Sequence, residues 1–144
     1  MEQHGFTNGE SNAAWDKKTL KKDHEYSVTF QFIYFEELNE ILYIAFYDDK
    51  VAGCIALKKI DKENCEMKRL YVRNEFRGKH IGANLVNRII DDARLIGYKH
   101  ILLDTLPFLK SAIKMYKSIG FYEIDKYNNS PMDNAIYLKL DLDK

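Results

Sequence analysis

Residues Cys65–Gly82 read CEMKRLYVRNEFRGKHIG. The stretch reads as a strand, a short charged turn, and a glycine-containing loop that opens a helix. A regular strand places its apolar side chains at even spacing. Cys65 and Met67 obey that rule, and so do Leu70 and Val72, but the step from Met67 to Leu70 is three. The phase therefore slips at Lys68–Arg69. A β-bulge produces such a slip and leaves backbone groups unpaired; an ordinary strand covered on both faces accounts for the pattern equally well. The following hexapeptide, Arg77-Gly78-Lys79-His80-Ile81-Gly82, lacks the GK[ST] ending of a nucleotide P-loop and the first-strand context of a dinucleotide-binding GxGxxG. Glycines at a helix start let phosphate oxygens approach backbone N–H groups. A tight strand-to-helix turn with solvated cations is the simpler reading of the hexapeptide alone.

Working downstream, the helix beginning near Ile81 is the clearest element. Ile81, Leu85, Ile89, Ala93 and Ile96 recur at helical spacing with Val86 and Ile90 beside them. Asn84, Asn87, Arg88, Asp91 and Asp92 are expected to face outward, and Gly97 to end the helix as a left-handed cap. His100–Asp104 (HILLD) is a short apolar strand, so the helix is a crossover between two parallel strands. Pro107 can start a second helix whose buried stripe is Leu109, Ala112, Ile113, Tyr116 and Ile119; Gly120 stops it and Phe121 folds back. Phe121–Tyr127 and Ala135–Leu142 are expected to be closing strands, joined by the turn Asn128-Asn129-Ser130-Pro131.

Upstream, Ile41–Tyr47 and Val51–Ile60 form a hairpin through Asp48-Asp49-Lys50, followed by a polar turn at Asp61–Asn64. Tyr26–Leu38 is ambiguous: its β-branched and aromatic content suits a strand, whereas Tyr26, Phe30, Ile33 and Glu37 share a helical stripe. Its length and the Glu36–Glu37 pair favour helix, which is the expectation. The aromatics Phe30, Phe32, Tyr34 and Phe35 read as packing more than as a substrate cage. Residues 1–22 read as a polar tail and residues 23–144 as a single domain.

The chain has 144 residues, 46% hydrophobic and 31% charged, with 22 basic and 22 acidic side chains. That balance provides no global field toward nucleic acid or membrane. No apolar run reaches the roughly 18 residues of a membrane span, and the first twenty residues have no signal-peptide core. Cys54 and Cys65 sit in apolar strand-like segments and read as reduced core residues; a cytoplasmic protein is expected. His4, His24 and His100 show no ligand spacing, so no metal is expected.

Taken together, the slipped strand, the loop, the helix, HILLD and AIKMYKSIGF resemble the GNAT superfamily of acyl-CoA-dependent N-acyltransferases over about Ala45–Leu142. The family's pyrophosphate loop has the form (Q/R)xxGx(G/A). Arg77 and Gly82 match its ends, and His80 stands where glycine is usual. The LYxxxGF-like signature is Met115-Tyr116-Lys117-Ser118-Ile119-Gly120-Phe121. Leu109 replaces the Asn of the NxxAxxLY pattern, and the N-terminal part lacks the family's first strand followed by helices. The resemblance implies an α/β fold: a GNAT-like mixed, mostly antiparallel sheet with a bulged central strand and helices on both faces.

It also implies acetyl-CoA as cosubstrate and transfer of its acetyl group to a primary amine of a small molecule or protein. Backbone at Leu70, Tyr71 and Val72 would bind pantetheine, and Arg77, Gly78, Lys79, His80, Ile81 and Gly82 the pyrophosphate. Lys114 or Lys117 would reach the adenosine phosphate, and a solvated surface role accounts for each lysine at least as well. Glu66 matches the general base of some members, although a surface ion pair with Lys68 or Arg69 also explains it. Tyr116 matches the usual general acid, a role compatible with a buried ring. Asp104 either faces the acceptor or caps the next turn. A homodimer is compatible with the resemblance. A non-catalytic acyl-CoA-binding or sensing domain is the alternative, and an RNA-binding module is disfavoured by the neutral charge.

Overall fold

The computed structural model describes residues 28–142. One seven-stranded sheet runs through them, with strands β1 (Val28–Phe35), β2 (Glu40–Tyr47), β3 (Lys50–Lys59), β4 (Asn64–Val72), β5 (His100–Thr105), β6 (Tyr122–Ile124) and β7 (Ile136–Asp141). The strand order is β1-β2-β3-β4-β5-β7-β6. Helix α1 (Ile81–Ile96) connects β4 to β5, and α2 (Lys110–Ile119) follows β5. The sheet is mixed and mostly antiparallel as expected, with β4–β5 as its parallel pair. The polar-tail reading of residues 1–22 lies outside the described residues.

The expected helix at Tyr26–Leu38 is corrected to a strand over its described part. Val28, Phe30 and Phe32 are buried while Thr29, Gln31 and Ile33 between them are half-buried. That is a period of two, and all eight β1 residues pair with β2. The acidic pair that favoured helix is instead a single 3-10 turn, Glu36–Leu38, closed by Asn39 in the left-handed region. β1 thus passes to β2 with only this 3-10 turn and no α-helix between them. At the next hairpin Asp48 and Asp49 both have positive φ, which suits the tight two-residue turn joining paired strands.

Side chains on one face of the sheet (Tyr43, Ile55, Leu57, Cys65, Met67, Ile101, Leu103 and Leu138) form the core with α1, which buries Ile81, Leu85, Val86, Ile89, Ile90 and Ala93. α2 joins the same face, since a Cβ on Gly120 at its end would meet Leu140 Cδ1 at 3.2 Å. The expectation of a helix on the second face reaches outside the described residues. α2 starts later than Pro107 and only Tyr116 of its expected stripe is fully buried; Leu109 is exposed, and Ala112, Ile113 and Ile119 are half-buried. β6 is shorter than expected and stops at Ile124, leaving Tyr127 in the connection to β7.

The outward placing of Arg88 and Asp92 is also corrected, because both are buried. The Arg88 guanidinium lies 5.6–5.7 Å from the ring centres of Phe30, Phe32 and Tyr43, a cation–π cage. Its Nε donates to Asp92 Oδ2 at 3.1 Å, and Tyr43 Oη donates to the same oxygen at 2.7 Å. The β1–β2 aromatics therefore pack around a buried ion pair carried by the crossover helix. Among the described residues, no helix is long and apolar enough to cross a membrane.

Candidate active site

The bulge is present where the sequence phase slips. Arg69 has φ +64°, and the β3–β4 register passes from Ala56↔Lys68 to Cys54↔Tyr71. One β3 residue, Ile55, thus opposes two on β4. The Arg69 carbonyl accepts from Cys54 Sγ at 3.4 Å, and the Arg69 side chain folds onto buried Glu40 with Nε–Oε2 2.8 Å. Closeness of the two strands beyond the bulge requires a glycine, since a Cβ on Gly53 would lie 2.5 Å from the Tyr71 carbonyl oxygen.

On its other edge, β4 pairs with β5 only through Asn64↔His100, Cys65↔Ile101 and Glu66↔Leu102. Past Glu66 the two strands part. The edge of β4 from Met67 to Val72 has no strand partner on that side among the described residues, which leaves its peptide groups open to an extended ligand. A cavity of about 380 Å³ occupies the gap, lined by both halves of the sheet and by Tyr116.

Glu66 sits at the apex of the gap and is only 9% exposed. Its Oε2 accepts from Tyr127 Oη at 2.6 Å and from Asn128 Nδ2 at 3.5 Å; Lys68 Nζ is 3.8 Å from Oε1. The expected surface ion pair is therefore a minor contact, and Arg69 is engaged elsewhere. Asp104 lines the same cavity and accepts from Asn128 Nδ2 at 2.9 Å. Tyr116 is buried, with its ring 5.6 Å from that of Phe121. Burial pushes its hydroxyl pKa up to about 12, so the phenol keeps its proton at neutral pH.

Leu70, Tyr71 and Val72 close β4, and the chain then turns through Asn74–Phe76 into the loop. Arg77 Nε donates to the Val72 carbonyl at 3.2 Å, and Lys79 Nζ lies 5.1 Å above the Tyr47 ring. Gly78 and His80 both have positive φ, +84° and +64°. His80 thus occupies, with a side chain, a conformation that favours glycine, although His is among the residue types enriched there. Asn84 N–H bonds to the His80 carbonyl, and Ile81 opens the helix. The first N–H groups of a helix have no intrahelical acceptor, so those of Ile81, Gly82 and Ala83 point out at the positive end of its dipole. These donors and the open β4 edge fit a long ligand with a phosphate-bearing end. Lys117 pairs with Glu123 at 3.4 Å and Lys114 is exposed, so among the described residues no contact sets either apart for a phosphate.

Two cavity neighbours escaped the sequence reading: Tyr127 and Asn128, which grip Glu66 from 61 and 62 residues away. The turn chemistry of Asn128–Pro131 marked a loop but carried no sign of what it touches. Among the described residues, no group of three or more His, Cys, Asp or Glu is placed to hold a metal ion.

The family model described as Acetyltransferase (GNAT) family matches residues 10–121. An uncharacterized N-acetyltransferase of Schizosaccharomyces pombe is 42% identical over 93 residues, 64% of this chain and 57% of that protein. One from Dictyostelium discoideum is 52% identical over 79 residues, 54% of this chain and 37% of that protein. The chain thus spans little more than half, or less, of these curated relatives. Among solved structures, an acetyltransferase from Streptococcus agalactiae superposes with TM-score 0.67 at 27% identity, covering 76% of this chain and 71% of that one. A GNAT family acetyltransferase from Elizabethkingia anophelis, solved with acetyl-CoA bound, shares the fold with TM-score 0.64 at 24% identity over 74% of this chain and 80% of that one. With the split sheet, the bulge and the loop at the start of α1 in place, the match over residues 10–121 is decisive: the chain belongs to the GNAT acetyltransferase family.

Proposed function

We propose that this chain is an N-acetyltransferase that moves an acetyl group from acetyl-CoA to a primary amine of a small molecule or protein. One observation carries the reading. Glu66 and Tyr116 line a single cavity at the point where β4 and β5 part, directly beyond the open β4 edge. Acetyl-CoA would supply an activated acyl thioester. Backbone at Leu70, Tyr71 and Val72 would hold its pantetheine arm, and the loop from Arg77 to Gly82 its pyrophosphate, with a β4 N–H polarising the thioester oxygen.

An amine with pKa near 10 is about a thousandfold protonated at neutral pH, so its nitrogen lone pair must be released. Glu66 would take that proton. The nitrogen then bonds to the acyl carbon and gives up its second proton to solvent, the carbon–sulfur bond breaks, and the sulfur leaves with the electron pair. Tyr116, which lines the same cavity, would face the departing sulfur. A thiol has a pKa of about 8.5, well below the value near 12 to which burial raises Tyr116. Tyr116 would therefore stabilise the thiolate chiefly by donating a hydrogen bond, and the proton that ends on sulfur comes from protonated Glu66 or solvent. Products are the amide and free CoA thiol.

The test is a screen of primary amines with acetyl-CoA, read by thiol release, beside a thermal-shift titration. Ligand at a hundred times its Kd adds about 2.7 kcal/mol; no shift at millimolar acetyl-CoA would overturn the reading. Binding without turnover of any amine would leave an acyl-CoA-binding domain. Tyr116→Phe should slow turnover roughly tenfold to a thousandfold; an unchanged rate would return Tyr116 to the core. The free state of Cys54 and Cys65 supports a reducing, cytoplasmic location.

A further inference from the structure

Among the described residues, the Glu66 carboxylate is held by hydrogen bonds from one side. Tyr127 Oη and Asn128 Nδ2 both reach Oε2, whereas among the described residues Oε1 has only the Lys68 ammonium at 3.8 Å. Tyr127 is itself fixed, with its ring edge-on to Tyr137 of β7, centroids 5.4 Å apart and planes at 81°. Burial, then the neighbouring Glu66 carboxylate, raises its pKa, so the hydroxyl stays protonated and donates. Asn128 has its orientation set by its own backbone neighbourhood: Oδ1 accepts from Ser130 N–H at 3.0 Å, which turns Nδ2 toward the carboxylates. That nitrogen also holds Asp104 at 2.9 Å. Two strands that have just ceased to pair are thus tied together through one loop amide.

We infer that Tyr127 and Asn128 are positioning residues that present Glu66 Oε1 to the acceptor amine. The inference rests on the assignment of Glu66 as base. A carboxylate on an unrestrained side chain samples several rotamers, and misplacement of a catalytic group by about 1 Å can cost on the order of a hundredfold in rate. With Oε2 occupied, the carboxylate cannot turn without breaking a 2.6 Å bond, so Oε1 is the oxygen left to receive the proton. Tyr127 is not a lining residue of the cavity and acts through Glu66.

The test is a double-mutant cycle on the full chain, using the fastest amine of the screen and also methoxyamine, which is unprotonated at neutral pH. Tyr127→Phe should lower kcat roughly ten- to a hundredfold with KM for acetyl-CoA unchanged. In a Glu66→Gln background it should cost nothing more, because groups that act as a unit are non-additive. With methoxyamine both losses should shrink together. Asn128→Ala should show the same pattern and serves if Tyr127→Phe does not fold. Losses that multiply in the double variants, or wild-type rates for both loop variants beside a slow Glu66→Gln, would overturn the inference. A fast Glu66→Gln enzyme would instead remove the base assignment on which it depends.

Discussion

Gly53→Ala tests whether β4 is held where the cofactor reading needs it. The added Cβ would stand 2.5 Å from the Tyr71 carbonyl oxygen, 3.3 Å from Val72 Cα and 3.4 Å from Leu85 Cδ1. Two of these are backbone atoms and cannot swing aside, so β3 and β4 must separate by several tenths of an ångström. Overpacking of this kind costs about 1–3 kcal/mol. The smaller unfolded-state entropy of Ala offsets about 0.4–1 kcal/mol, leaving roughly 1–2 kcal/mol of destabilisation. In a chain this size each kcal/mol shifts Tm by about 3 °C, so a fall of about 3–6 °C is expected. The displaced atoms belong to Tyr71 and Val72, the proposed pantetheine edge. Acetyl-CoA should therefore raise the variant's Tm less than it raises the wild type's at the same concentration. A tenfold weaker Kd removes about 1.4 kcal/mol of ligand stabilisation. Calorimetry with and without acetyl-CoA measures both quantities. A variant as stable as wild type would refute the close approach, and an unaltered ligand increment would refute its link to the binding edge.

Asp92→Ala should destabilise by about 3–5 kcal/mol, because it strands the buried Arg88 charge and leaves Tyr43 Oη without its acceptor; denaturant unfolding checks it. His80→Gly should match or exceed wild-type stability by up to about 1 kcal/mol and keep acetyl-CoA affinity, since only backbone is used there; weaker binding would assign the imidazole a contact. Burial raises the pKa of Tyr43, Tyr98, Tyr116 and Tyr127. The unfolded chain loses these protons first, so stability should hold below pH about 10 and fall as pH rises toward the folded values near 12 of Tyr98 and Tyr116. Alkaline melts with tyrosinate absorbance should show these groups ionising at higher pH in the folded chain than in the unfolded one.

Local signals were legible where local physics decides the outcome. The three-residue step from Met67 to Leu70 marked the place of the bulge, though an ordinary strand fitted it as well, and the spacing from Ile81 with Gly97 as cap located α1 at both ends. β1 was not legible because its aromatics satisfy both periods; pairing with β2 decides it, a contact between segments. Arg88 and Asp92 looked outward because charge is normally solvated. Their burial depends on rings from β1 and β2 more than forty residues away, which no helical pattern encodes. The same holds for Tyr127 and Asn128. Their sequence announces a turn, and only the closure of β6 and β7 beside β5 carries that turn to Glu66.

The placement of Glu66 and Tyr116 follows from the split itself. In a fully paired sheet, side chains on opposite faces are separated by a continuous layer of hydrogen-bonded backbone. Here that layer ends after Glu66↔Leu102, and the cavity in the gap is lined by Met67, Leu103 and Thr105 from the helix-bearing face and by Glu66, Lys68 and Asp104 from the other. Tyr116 closes it from α2. On the proposed function, an acyl donor laid along the open β4 edge and an amine entering past the carboxylates would meet through the sheet. A bulge bends its strand, and the left-handed residue at Arg69, anchored by Glu40, lies three residues beyond the last β4–β5 pair, so this ion pair is placed to support the opening. Arg69→Ala should then reduce acetyl-CoA binding and turnover together although Arg69 is not assigned to touch either reactant; a variant with wild-type affinity and rate would show that the bulge holds the sheet open without its anchor.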